Sequence, residues 1–327
     1  MNEALAETMS PELASQKIQW LRESIGKVVV GQTEVIDQVI IALLSRGHVL
    51  IEGVPGLGKT LLVKTLANCI SCSFKRIQFT PDLMPSDVTG HAMYSMKDGT
   101  FSIRKGPIFT NLLLADEINR APAKTQAALL EVMQENQVTI EGEAYQIQPP
   151  FMVLATQNPI EQDGTYPLPE AELDRFLLKI FIDYPNLERE KELVSKVATG
   201  KISMVEKSLL QDVQIDSLEL EKLQAFVNAV TLDEQVLDYA VRLVQSTRTN
   251  SAILKGAGPR ASIGVVVAAK AIAAMNGRNF VLPDDVKAVV KPVLRHRILL
   301  APDTEVEGLS SDDVLGQTLQ LVDAPRS

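Results

Sequence analysis

The residues Gly53-Val54-Pro55-Gly56-Leu57-Gly58-Lys59-Thr60 fit the spacing G-x-x-x-x-G-K-[ST] at every defined position. Glycines at those places let successive backbone N–H groups turn inward on a phosphate. A helix starting directly behind them adds about half a positive charge to the same spot. Lys59 has the length to reach β- and γ-phosphates, and the Thr60 hydroxyl suits a magnesium ion. His48-Val49-Leu50-Ile51 reads as a short buried strand, and Leu61-Leu62-Val63-Lys64-Thr65-Leu66-Ala67 as a helix. The plainer alternative is a glycine-rich turn that happens to precede a helix. Strand, loop, Lys-Thr pair and helix in succession favour the phosphate site, with Gly53 through Leu61 as its contacts.

Hydrolysis of a bound nucleoside triphosphate needs a metal anchor, a polarised water and stabilisation of developing charge. Leu112-Leu113-Leu114-Ala115 reads as an apolar strand running into Asp116-Glu117. That places two carboxylates at the C-terminal edge of a sheet, where open α/β folds bind ligands. Asp116 is expected to hold Mg2+, and Glu117 to orient and activate the attacking water. Standing alone, the two acids would read as a helix N-cap. The next apolar strand, Phe151 to Ala155, ends in Thr156-Gln157-Asn158-Pro159. Asn158 is expected to bond the γ-phosphate and the water, although Asn before Pro is also a turn starter.

Two arginines complete the set. Arg175 closes a helix predicted over Leu168–Phe176. It is either a surface charge paired with Asp174 or a planar cation for a γ-phosphate, its own or a neighbour's in a ring. Arg260 opens a later helix, from which it could reach a nucleotide across a cleft.

These residues need a scaffold. Apolar runs at Val49, Phe74–Phe79, Leu112–Ala115, Phe151–Ala155 and Leu177–Ile182 make five candidate strands with long connections. That is the pattern of a parallel sheet covered on both faces. Helices are predicted over Ser10–Lys27 and Glu34–Ser45 ahead of it. Beyond Tyr184-Pro185-Asn186 the chain reads as helices only, which predicts a nucleotide-binding domain over 1–185 and a helical domain over 186–327. Two insertions, at about 81–107 and 137–148, read as hairpins. The first turns at Lys97-Asp98-Gly99-Thr100 and the second at Glu141-Gly142-Glu143. They either decorate the domain or engage a partner.

The chain has 327 residues, 46% hydrophobic and 22% charged, enough for two domains with full cores. A net charge of −9 argues against nucleic acid as the main partner. The start, Met1-Asn2-Glu3-Ala4-Leu5-Ala6-Glu7, is acidic and lacks the apolar segment of a signal peptide. No apolar run approaches the roughly 20 residues of a membrane span, so the expected location is the cytoplasm. Cys69 and Cys72 form a lone C-x-x-C without a second pair and are expected to be ordinary reduced thiols.

Taken together these residues resemble the AAA+ ATPases, and within them the MoxR family. The narrower marks are Phe79-Thr80-Pro81-Asp82-Leu83-Met84-Pro85-Ser86-Asp87-Val88-Thr89-Gly90, Gly106-Pro107-Ile108-Phe109 and Ala115-Asp116-Glu117-Ile118-Asn119-Arg120-Ala121-Pro122. Ala155-Thr156-Gln157-Asn158-Pro159-Ile160-Glu161-Gln162 and Gly164-Thr165-Tyr166-Pro167-Leu168-Pro169-Glu170-Ala171 complete them. The resemblance implies a P-loop NTPase fold: a three-layer αβα domain with a parallel five-stranded sheet, then an all-α lid. It implies ATP and Mg2+, with Val30, Gly31 and Gln32 contacting adenine. Asn158 becomes a sensor, Arg175 an arginine finger and Arg260 a second sensor. It further implies a homo-oligomeric ring, usually hexameric, whose hairpins face the ring axis. The implied work is chaperone-like: remodelling or activating a client protein, or assisting its metal insertion, often with a von Willebrand factor A domain protein. Two other classes share the same engine, a nucleic-acid-remodelling motor and a magnesium-chelatase-like motor subunit.

Overall fold

The computed structural model describes residues 9–54, 56–97, 99–159, 164–200, 202 and 215–325. Pro55 of the phosphate loop, Asp98 of the first hairpin turn and Ile160-Glu161-Gln162 after Asn158 lie outside the described residues.

Two helices lead into the sheet. α1 (Pro11–Val28) starts on Ser10, whose side chain accepts from the Leu13 N–H at 3.2 Å, with proline at the first helical position. α2 (Thr33–Leu44) is tied to it by Arg22, which donates to both Asp37 oxygens at 2.6 and 2.7 Å. β1 (Val49–Glu52) then enters the phosphate loop, and α3 (Lys59–Cys69) leaves it. β2 (Phe74–Gln78) follows, then α4 (Pro85–Thr89) and a hairpin of β3 (Gly90–Ser95) and β4 (Thr100–Lys105). β5 (Leu112–Asp116), α5 (Ala123–Glu135) and a second hairpin of β6 (Gln137–Ile140) and β7 (Glu143–Gln146) come next. β8 (Met152–Gln157), α6 (Glu170–Leu173) and β9 (Leu178–Phe181) close this part of the chain.

Five strands form one parallel sheet in the order β2-β5-β8-β1-β9. The central strands β5 and β8 are buried along nearly their whole length because both faces are covered. Leu112 and Leu114 of β5 face one core with α1, α2 and α3, while Leu113 and Ala115 face a second core with α5. Met152 and Leu154 of β8 divide in the same way from Val153 and Ala155. A period of two is present in space but invisible in composition. His48 braces the sheet from below: the Val153 N–H donates to Nδ1 at 3.0 Å, and Nε2 meets the Met133 carbonyl at 3.1 Å. Full burial pushes its pKa down to about 4.

The remaining helices among the described residues include α7 (Leu187–Ala198), α8 (Ser217–Ala229), α9 (Glu234–Ser246), α10 (Pro259–Met275), α11 (Pro283–Leu294), α12 (Pro302–Val306) and α13 (Ser311–Leu321). A short antiparallel pair, β10 (Ile253–Lys255) with β11 (Leu299–Leu300), interrupts them. Segments of two or three residues are too short to show a strand period, which is why the helical pattern hid this pair. α10 runs close to α11 because Gly264 leaves room: a Cβ there would stand 3.2 Å from Val293 Cγ1. The first core runs without a break from the sheet into these helices through Leu220, Phe226, Val265 and Val290.

The helix predicted over Leu168–Phe176 is shorter, Glu170–Leu173. Its expected last turn is unwound because Arg297 takes the carbonyls of Asp174, Phe176 and Leu177. Cys69 and Cys72 are free thiols, and burial pushes Cys69 up to about 12 and Cys72 upward. No described helix is long and apolar enough to cross a membrane.

Candidate active site

The phosphate loop sits at the C-terminal edge of β1. Gly56 and Gly58 have φ of 85° and 79°, the left-handed region that a side chain strains. Gly53 is needed for a different reason: a Cβ there would lie 2.5 Å from the Ile182 carbonyl oxygen. Lys59 opens α3 and turns back to donate to the Gly53 carbonyl at 2.5 Å. Partial burial lowers its pKa, against the opposing pull of Asp116, Glu117 and Glu52. The ammonium therefore stands in the field of both acids at the end of β5.

Those acids are held in a tight frame. β5 pairs β8 with Ala115 opposite Ala155, which sets Asp116 beside Thr156. The Thr156 hydroxyl donates to Asp116 Oδ1 at 2.6 Å and accepts from the Glu117 N–H at 2.9 Å. Glu117 adopts a left-handed backbone, φ 55° and ψ 49°, unusual for a residue with a side chain and typical of strain kept at a functional site. Its Oε2 accepts from Gln78 Nε2 at 2.8 Å and Arg120 Nη1 at 3.0 Å. On the other side of Asp116, Arg76 donates to Oδ2 from Nε at 3.0 Å and Nη2 at 2.6 Å. Asn158 is buried and follows β8 by one residue, and the Gly53 N–H bonds the Gln157 carbonyl at 3.3 Å. Asn158 thus lies at the edge of the sheet where the phosphate loop begins.

Arg175 and Arg260 are elsewhere. Asp174 and Arg175 precede β9, which runs parallel to β1, so they lie at the N-terminal edge of the sheet. The phosphate loop lies at the C-terminal edge, a strand height of roughly 13 Å away. Arg260 Nη1 stands 3.6 Å from Asp174 Oδ2, and Arg297 Nε donates to Asp174 Oδ1 at 2.7 Å. The two arginines are thus gathered on one face, away from the loop of their own chain. Arg260 stands beside Asp174, at the edge of the sheet where β9 begins.

A cleft of about 390 Å³ adjoins the loop, lined by Val28, Val29, Val30, Gln32 and Leu57 on one side and by Tyr184 and Leu193 on the other. Gln32 Nε2 donates to the Leu57 carbonyl at 2.9 Å, while the buried Oε1 has no partner among the described residues. A largely apolar slot beside a phosphate loop fits a flat purine ring. Gly31, with φ of 83°, allows the turn into that slot, and α7 closes over it: a Cβ there would stand 3.0 Å from Arg189 Cβ. For the metal, no three His, Cys, Asp or Glu side chains gather as ligands among the described residues. One carboxylate, Asp116, and one hydroxyl, Thr60, suit Mg2+, which keeps several waters and takes its remaining ligands from phosphates.

Residues 48–178 match the family described as ATPases associated with various cellular activities (AAA), and residues 245–318 match the AAA lid domain. A crystal structure of a proposed ATPase from Cytophaga hutchinsonii superposes with a TM-score of 0.89 at 43% identity, covering 97% of each chain. Chaperone MoxR1 of Mycobacterium tuberculosis is 44% identical over 311 residues, 92% of this chain and 81% of its own length. Protein MoxR of Methylorubrum extorquens is 30% identical over 324 residues, 92% of this chain and 93% of its own. The chain belongs to the MoxR family of AAA+ ATPases.

In this MoxR-family chain the sheet, the lid and the nucleotide-binding fold are those of an ATPase of the AAA+ class. Sequence reasoning did not pick out Thr156, Arg76, Gln78 or Arg120, all of which hold the two acids. Thr156 lies in the segment Ala155-Thr156-Gln157-Asn158, on the strand that pairs with the Asp116 strand. Arg76 and Gln78 are polar residues two apart on a sheet strand, a spacing that puts both on one face. Nothing in the linear order says that this face meets Asp116 and Glu117.

Proposed function

We propose that this protein is an ATP-driven motor that remodels or activates partner proteins, with each active site shared between two copies in a closed ring. The single observation that carries the reading is the separation of Arg175 and Arg260 from the phosphate loop of their own chain, across the height of the sheet. Such arginines act on phosphate only if a neighbouring copy brings its loop to them. A hexamer is the ring we favour.

In this reading the adenine enters the cleft at Val30-Gly31-Gln32. The loop N–H groups and Lys59 hold the phosphates. Thr60 and Asp116 would hold Mg2+, which would neutralise charge on the β- and γ-phosphates when bound. Glu117 takes the proton of the attacking water, and Asn158 fixes the water against the γ-phosphate. Arg175 and Arg260 of the adjacent copy stabilise the charge that develops on transfer.

The β3–β4 hairpin supports a role on other proteins. Tyr94 and Phe101 meet in a tilted pair at 5.1 Å between ring centres, and with Met93 and Met96 they stand exposed to solvent. Such apolar groups at a hairpin tip suit contact with a client. A von Willebrand factor A domain protein and assisted metal insertion belong to the same proposal.

The direct test is Glu117→Gln, followed by phosphate release and by binding of a fluorescent ATP analogue. Binding should persist while turnover falls by a factor of at least about a thousand. Turnover equal to the native chain would overturn the reading.

A further inference from the structure

We propose that Arg76 is a cationic latch on Asp116, which a metal-bearing nucleotide must displace, and that it sets how much Mg2+ the site requires. This rests on the reading that Asp116 holds the metal.

The geometry is specific. Asp116 has one oxygen taken by Thr156 and the other by two N–H groups of Arg76, at 3.0 and 2.6 Å. A carboxylate oxygen so engaged has little capacity left for a metal, and a guanidinium at that distance repels a dication on the same oxygen. Arg76 and Mg2+ therefore compete for Asp116 Oδ2. The competition can be won without opening the core. Arg76 lies on β2, the edge strand of the sheet, and its side chain is 48% exposed against 16% for Asp116. The arginine can swing into solvent while the acid stays in place.

The latch reaches both acids. Arg76 Nη2 also donates to Gln78 Oε1 at 2.8 Å, and Gln78 Nε2 donates to Glu117 Oε2 at 2.8 Å. Asp116, Arg76, Gln78 and Glu117 thus form one chain of hydrogen bonds across two neighbouring strands. Release of Arg76 by the metal removes the partner that orients the Gln78 amide, and so loosens Glu117 at the moment the metal arrives. Arg76 is a positioning residue in this scheme; it acts through Asp116 and Gln78.

The test uses the full chain, a fluorescent ATP analogue that is not hydrolysed, and a series of Mg2+ concentrations. Native protein, Arg76→Ala and Arg76→Lys are compared, each with a parallel measurement in chelator. The half-saturating Mg2+ concentration should fall about threefold to tenfold in Arg76→Ala. Affinity for the analogue in chelator should stay the same. Arg76→Lys, which keeps a cation but loses the two-donor grip, should fall between. An unchanged Mg2+ midpoint in both variants makes Arg76 a structural residue and overturns the latch. A raised midpoint makes it an aid to metal or phosphate and overturns it equally. If Arg76→Ala does not fold, Arg76→Lys decides alone, since any shift below the native midpoint requires the latch. Failure of every form to bind the analogue would sink the nucleotide reading itself, which separates the two outcomes.

Discussion

Arg297 donates its Nε to Asp174 Oδ1 at 2.7 Å with only 3% of its side chain exposed. The same guanidinium bonds the carbonyls of Phe176 and Leu177 at 2.6 and 3.1 Å and that of Val293 within its own turn. It joins the end of α11 to the segment carrying Arg175. Arg297→Met should lower the unfolding free energy by about 3–5 kcal/mol, since Asp174 and two buried carbonyls lose their partner. Denaturant unfolding measures this, and a loss under about 1 kcal/mol would show that the joint is not structural.

Thr156 holds the two acids by one hydroxyl. Thr156→Val keeps the shape but removes the donor to Asp116 and the acceptor for the Glu117 N–H. Turnover is expected to drop about tenfold to a hundredfold, with the scale set by residues that orient metal ligands. Thr156→Ser should recover most of it. A serine variant as slow as the valine variant would exclude the hydroxyl as the cause.

The shared-site reading predicts complementation. Arg175→Ala alone and Glu117→Gln alone should each be inactive. A mixture of the two should regain part of the activity, because some interfaces then pair an intact Glu117 with an intact Arg175. Phosphate release that stays at the level of the separate variants would place Arg175 in its own chain's site or outside the reaction.

His48 predicts an acid-sensitive fold. Its pKa lies at about 4 in the folded chain, below the ordinary 6.5, because burial disfavours the charged ring. The unfolded chain therefore binds the extra proton first. Stability from His48 is fully present above pH 6.5 and is lost as the pH falls through about 4. By pH 5 the loss should reach about 2 kcal/mol. His48→Gln should flatten that part of the curve between pH 7 and 5. Identical pH slopes for native and variant chains would contradict the assignment.

The sites differ in how far the chain order reveals them. The phosphate loop is read from eight consecutive residues, because turn, helix start and lysine all depend on neighbours in sequence. Asp116 and Asn158 are read from strands that end at one edge, which only needs the strands to be parallel and adjacent. The short β10–β11 pair and the unwound end of α6 were not legible, because each is made by a distant residue: Leu299 and Leu300 for the first, Arg297 for the second. Arg76 and Gln78 were missed for the same reason, their partners lying on a strand about 40 residues away.

The sequence by itself determined the fuel and the frame: a nucleotide loop, two acids after an apolar strand, five parallel strands and a helical lid. These follow from local geometry and from burial, which leave periodic marks along the chain. Only the tertiary structure decided which groups face one another. It set Thr156 and Arg76 on either side of Asp116. It also turned Arg175 and Arg260 to the edge of the sheet opposite the loop, because strand direction and lid packing are properties of the folded chain and of no single segment.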